Sequence, residues 1–270
     1  MHHMASSVHQ EHDNVATIVR HWFHDPFEEM GYLAVPRQWG TYWSNSQVYV
    51  SGLHMSEVGS FVDDLRIHFP DWAKPFYIHI DNPEDDANIG PALIEAGCTG
   101  PSTEVFLAHV GPPPNDQVGS AMRLAPVSDE NLASFADTKL RAWAGNEDEP
   151  GSEELQAEIA RRKRELAGTG RGLLALADDV PAGFIWWHED PSLVRWISQL
   201  ATRLPFRKRG VAATMVRACL ETAYTAGYIA VVINVDPANE GAFRLYRRLG
   251  FVDQVYDLRT YTLPDEHPVT

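Results

Sequence analysis

Leu200-Ala201-Thr202-Arg203-Leu204-Pro205-Phe206-Arg207-Lys208-Arg209-Gly210-Val211-Ala212 runs from the end of an apolar strand, through a short loop, into a helix. The helix is read from Val211, Met215, Val216, Cys219, Leu220 and Ala223, which recur at helical spacing up to Gly227. A junction of this kind suits phosphate. The first N–H groups of a helix have no partner within it, the helix dipole adds positive potential, and a glycine lets a pyrophosphate approach the chain closely. Arg207, Lys208 and Arg209 add point charges beside it.

Working outward, Val194 to Thr202 reads as the strand before the loop, and Ile229 to Val235 as a buried strand after the helix. Asn239 to Leu249 then forms a helix and Val255 to Leu263 a closing strand. Upstream, Gly172 to Ala177 and Ala182 to His188 form strands joined by the turn Asp178-Asp179-Val180-Pro181. They follow a strand at Met122 to Leu124, a helix opened by Ser128-Asp129-Glu130 with an apolar face of Leu132, Phe135, Ala136 and Leu140, and a second helix from Ser152. The order is β-α-α-β-β-β-α-β-α-β. Gly111-Pro112-Pro113-Pro114-Asn115-Asp116-Gln117-Val118-Gly119-Ser120 interrupts both flanking patterns and reads as a linker. Before it, strands at Gln47 to Val50, Phe76 to Ile80 and Glu104 to Val110 alternate with helices at Ser56 to Phe69 and Asn88 to Ala96. The end of each half shows a weak repeat: Tyr77-Ile78-His79-Ile80-Asp81-Asn82-Pro83 runs to Ala96-Gly97-Cys98 as Val232-Ile233-Asn234-Val235-Asp236-Pro237 runs to Leu249-Gly250-Phe251.

The chain of 270 residues carries 22 Lys+Arg against 37 Asp+Glu, a formal charge of −15. That argues against nucleic acid or anionic lipid as a partner, since both require a basic footprint. The charge is uneven: residues 1–119 hold 4 basic and 16 acidic side chains, net −12, and residues 120–270 hold 18 and 21, net −3. An anionic ligand therefore belongs to the second half. No apolar run reaches the length of a membrane span, and the opening Met1-His2-His3-Met4-Ala5-Ser6-Ser7 lacks the plan of a signal peptide, so a cytoplasmic protein is expected. Cys98 and Cys219, at no metal-like or redox-like spacing, are expected to be buried thiols. His21 and His24, followed by Asp25, have helical spacing but no third ligand in sight, so no metal is expected.

Arg207-x-x-Gly210-x-Ala212 resembles the Gln/Arg-x-x-Gly-x-Gly/Ala loop of the GNAT (GCN5-related N-acetyltransferase) superfamily. Asn239 after the next strand, Tyr246 seven residues on, and the ending Leu249-Gly250-Phe251 extend the resemblance over about residues 120–265. It implies an α/β (α+β) GNAT fold with a mixed sheet flanked by helices, in two tandem copies. Residues 1–115 would be a degenerate copy, with Leu93 where the second has Tyr246, and residues 116–270 the catalytic domain.

The implied activity is transfer of an acyl group from acetyl-CoA or another acyl-CoA to the amine of a small molecule, by direct attack with both substrates bound. The resemblance places the pantetheine arm where Leu200, Ala201 and Thr202 bulge and splay from the next strand, one N–H near Leu200 polarising the thioester carbonyl. It assigns the pyrophosphate to Arg207, Lys208, Arg209, Gly210, Val211 and Ala212, the pantetheine to Asn239, and the leaving sulfur to Tyr246. Many members carry a glutamate where this chain has Asn234, so the general base is sought in Glu189, Asp190 or His188. The acceptor region includes Asn146-Glu147-Asp148-Glu149-Pro150-Gly151, which is either a solvated loop or an attractor for a cationic amine. Trp186, Trp187 and Trp196 either pack the core or floor the acceptor pocket. Two other readings keep the fold: an acyl donor bound to a carrier protein or tRNA, or a non-catalytic CoA-binding regulatory module.

Overall fold

The computed structural model of the chain describes residues 27–30, 33–36, 47–50, 53–68, 76–80, 83–114, 122–189 and 193–264. The architecture is mixed α/β, as expected, with parallel and antiparallel strand pairs and flanking helices. Among the described residues no helix is long and apolar enough to cross a membrane. His21, His24, Asp25, Asp190 and residues 115–120 of the linker lie outside the described residues. Contacts divide the described chain into two units: one from 1–106, 235–239 and 254–270, the other from 107–234 and 240–253.

In the first unit, β1 (Phe27–Met30), β2 (Leu33–Pro36) and β3 (Gln47–Val50) precede α1 (Val58–His68), β4 (Phe76–Ile80), α2 (Pro83–Glu95) and β5 (Thr99–Val110), of which residues 107–110 belong to the second unit. The last strand of the chain, β11 (Val252–Leu263), pairs antiparallel with β4, setting Tyr261 opposite Ile78. Strands β1 and β2 have no counterpart in the sequence reading. Nor was it foreseen that residues 254–263 of β11, expected to close the second half, would pack with the first unit. The cause is the alternation of β11: Tyr261 and Leu263 fall on one face and join Phe61, Leu65, Ile78 and Ile80 in the core. Cys98 is buried here and Cys219 in the second unit, both as free thiols.

The second unit contains β6 (Met122–Pro126), α3 (Leu132–Ala144), α4 (Ser152–Ala167), β7 (Gly170–Ala177), β8 (Val180–Glu189), β9 (Val194–Thr202), α5 (Val211–Thr225), β10 (Ala230–Val235) and α6 (Glu240–Arg248). Its strand order is β10-β9-β8-β7-β6. Helix α3 starts at Leu132, later than expected, because Asn131 closes the preceding turn: its side chain accepts from the Ser128 N–H at 2.9 Å and donates to Pro126 O at 2.9 Å. The β7–β8 turn is also tighter than expected. Asp178 and Asp179, at φ 50° and 61°, form a two-residue hairpin loop, and Val180 pairs directly with Ala177.

Trp186 is fully buried against Phe135, the two ring centroids 5.2 Å apart. The indole fits only because β7 is bare beneath it. A Cβ on Gly172 would stand 2.5 Å from Trp186 Cε3 and 2.9 Å from Ile185 O. Gly172→Ala is therefore expected to lower stability by about 1–3 kcal/mol, since a well-packed core relaxes poorly around an added carbon. Denaturant unfolding of the two proteins measures this, and an unchanged midpoint would contradict it.

Candidate acyl-transfer site

The site begins with the way β9 leaves its neighbour. Val194 to Ile197 pair in parallel with Ala230 to Ile233, and among the described residues the pairing stops there, while β9 runs on to Thr202 against β8 alone. At the same point β9 slips register against β8. Trp186 faces Gln199 and Trp187 faces Ile197, leaving Ser198 as the extra residue of a bulge. Leu200 and Ala201 lie on the half-buried stretch beyond it. Peptide groups there have lost one sheet partner and are placed to bind an extended chain.

Past Thr202 the chain turns through Leu204–Phe206 and enters α5. Lys208 at φ 62° and Gly210 at φ 83° both take the left-handed region. Gly210 is the residue before the helix, and no side chain caps the first turn. The leading N–H groups of α5 are therefore aimed out of the loop without a helical partner. They open on a cavity of about 410 Å³ lined by Thr202, Arg207, Lys208, Gly210, Val211 and Ala212. Another part of its wall is one face of α6: Gly241, Leu245 and Arg248. Sequence reasoning missed this wall, although the four- and three-residue spacing of the three marks a single helical face.

The cations around the cavity divide into two kinds. Arg207 lines it, yet its guanidinium donates to Thr202 O at 3.1 Å and Ala142 O at 3.4 Å, clamping the loop onto the end of α3. Arg203 does the same on the other side, donating to Pro181 O at 2.8 Å and pairing with Glu147. Glu147 thus serves the loop rather than standing open as an attractor for amines. Exposed Lys208 and Arg248 line the cavity, and Arg209 lies 5.7 Å over the Phe206 ring.

Tyr246 is almost entirely buried, its ring centroid 5.7 Å from that of Phe251. Burial pushes its phenol pKa upward, so the hydroxyl keeps its proton and acts as a donor. Asn239 sits in the turn that opens α6, with its N–H on Asp236 O at 2.9 Å. Glu189 is elsewhere. It pairs with Arg195 across the β8–β9 end at 3.1 Å and with Arg171 at 3.6 Å. That end is seven residues of β9 from Thr202, about 23 Å of extended chain. The structure therefore does not bring Glu189 to the cavity. His188 is buried with Nε2 3.0 Å from Ser198 Oγ, and burial, with Arg162 and Arg161 nearby, lowers its pKa to about 3. The three tryptophans are core residues, each under one-tenth exposed, and Trp187 stacks against Arg195.

Residues 133–251 match the family model described as Acetyltransferase (GNAT) family. The match covers less than half of the chain, and that segment, from α3 through α6, resembles a GNAT acetyltransferase domain. The fold as a whole has counterparts among solved GNAT structures. A GCN5-related N-acetyltransferase from Sphaerobacter thermophilus is 17% identical, with 94% of this chain and 87% of that one aligned at a TM-score of 0.61. One from Kribbella flavida is 18% identical over 94% and 96%, also at 0.61. A tandem GNAT protein from the clavulanic acid biosynthesis pathway is 13% identical over 88% and 79%, at 0.57. No curated protein sequence matches the chain. The bulge at Ser198, the splay from β10 and the glycine at the head of α5 all fall within the matched GNAT segment.

Proposed function

We propose that the chain is an N-acyltransferase that moves an acyl group from an acyl-CoA thioester, acetyl-CoA in the simplest case, to the amine of a small molecule. The observation that carries this reading is the cavity at the β9–α5 junction, continuous in sequence with a strand that has left its partner. Acyl-CoA supplies an activated thioester carbonyl and a thiolate leaving group. The leading N–H groups of α5, with Lys208 and Arg248, hold its pyrophosphate, and Gly210 leaves room for it. The stretch from Ser198 to Thr202, paired with β8 but not with β10, holds the pantetheine amides, with the Leu200 N–H at the carbonyl oxygen. Asn239 steadies the arm, and the protonated Tyr246 donates to the departing sulfur.

Two modules, residues 1–115 and 116–270, are part of the same proposal. Support for them lies in how α2 and α6 end. Gly97 at φ 97° and Gly250 at φ 87° close the two helices, with Cys98 N–H on Leu93 O at 2.9 Å and Phe251 N–H on Tyr246 O at 3.0 Å. The same cap at matching places joins Leu93 to Tyr246 as counterparts, and Leu93 has no hydroxyl to offer a leaving group. The first module is thus read as shaping and recognition rather than catalysis.

Titration calorimetry of the full chain tests the donor: one equivalent of CoA is expected to bind. Thiol release from acetyl-CoA over a panel of primary amines then tests the transfer. Failure of CoA to bind would remove the proposal.

A further inference from the structure

Ser198 stands where the two irregularities of β9 coincide: it is the extra residue of the bulge and the first residue past the last β10 pair. Both of its neighbours are held. Ile197 is locked between β8 and β10, and Gln199 is bonded to Arg162 of α4. Arg162 is itself 1% exposed, bonded to Glu158 at 2.7 Å and Glu165 at 2.6 Å, and lies 4.6 Å over the Trp186 ring. Ser198 remains half-buried, with Oγ 3.0 Å from His188 Nε2. Next along the same face, the His188 ring packs 5.4 Å from Trp196, whose indole N–H is bonded to Asn234 Oδ1 at 2.9 Å.

We propose that Ser198 Oγ, oriented by His188, accepts a hydrogen bond from the incoming amine nitrogen and holds it against the acyl carbonyl, so that the acceptor enters as the free base. This rests on the acyl-transfer reading. The charged groups facing His188 come from α4, where Arg161 and Arg162 oppose a proton on the ring. Glu158 and Glu165 are committed to those two arginines, and Lys139 of α3 to Glu158. From β9 and β10 the facing groups are Trp196 and Asn234, neither of which titrates. In the tautomer required here the imidazole lone pair is on Nε2, the Ser198 hydroxyl donates to it, and the Oγ lone pairs are left for the amine. Such a pair accepts an N–H but cannot strip an ammonium ion. In the transfer the nitrogen lone pair forms the C–N bond, the C–S bond breaks with its electrons going to sulfur, and the surplus N–H proton ends on that sulfur as the thiol. The pair is unchanged over the cycle.

The test uses the full chain, acetyl-CoA and primary amines whose pKa values span about two units. The expected kcat/KM rises with pH and levels at each amine's own pKa. Ser198→Ala should lower kcat/KM by about 10- to 100-fold with CoA affinity within about twofold, and Ser198→Thr, which keeps the hydroxyl, should retain most turnover. Nitrogen-15 spectra of the His188 imidazole, which need no acceptor, should show an unprotonated Nε2 from pH 8 to 5. One inflection shared by all the amines, full turnover by Ser198→Ala, or a protonated Nε2 would overturn the inference while leaving the donor reading intact. Failure of the wild-type chain to bind CoA would remove both.

Discussion

Gly210→Asp is expected to weaken CoA binding by at least 100-fold. Two effects act together. Gly210 sits at φ 83°, a conformation that a side chain resists, so the loop must either carry strain or rearrange. The larger effect is electrostatic. A carboxylate at the head of α5 would lie about 5 Å from a bound phosphate, which at an effective dielectric near 20 costs about 3 kcal/mol and reverses the field that the helix start provides. Gly210→Ala separates the two by imposing the strain without the charge, and its loss of affinity should be far smaller. Calorimetry gives both dissociation constants and thermal unfolding shows that the variants remain folded. A folded Gly210→Asp protein that binds CoA within threefold of the parent would place the pyrophosphate elsewhere.

Tyr246→Phe is expected to lower kcat by about 100-fold, with a smaller change in the KM for acyl-CoA. The ring is buried against Phe251, and phenylalanine retains that contact, so the substitution removes the hydroxyl and little else. Because burial raises the phenol pKa, the proton stays on the oxygen through the neutral range, and the donor is intact at any pH at which the enzyme would be assayed. No loss of rate from tyrosine ionisation should therefore appear below about pH 10. Steady-state kinetics and thermal unfolding measured together decide the matter. A parallel fall in melting temperature would assign Tyr246 to packing, and full turnover by a stable variant would end the role of its hydroxyl.

Much of the candidate site was legible because its parts are local. A basic loop, a glycine and an apolar helical pattern lie within about a dozen consecutive residues, and the cavity forms where they meet. The buried faces of α3 and α5 were also legible, from helical periodicity. Arg207 shows the limit of such reading. In the sequence it is a cation beside a phosphate loop; in the fold it spends its donors on Thr202 and Ala142 carbonyls, 5 and 65 positions away. Glu189 is a second case: a carboxylate near β9 in sequence becomes an ion-pair partner of Arg195 and Arg171 at the end of that strand away from the cavity.

By itself the amino-acid sequence determined the order of the elements in the second half, the basic, glycine-containing character of the β9–α5 junction and the place of Tyr246 on α6, since each depends on residues close together along the chain. Tertiary structure decided the partners. It set Arg248 and Gly210 on the same cavity and brought Ser198 to His188 through a one-residue slip between β8 and β9. It also buried Arg162, which in a charged helix such as α4 looks like a solvated side chain, beneath Trp186. Side-chain direction in a strand reverses with every residue, so a single bulge turns each later side chain to the opposite face, and which group meets which is known only once the register is formed.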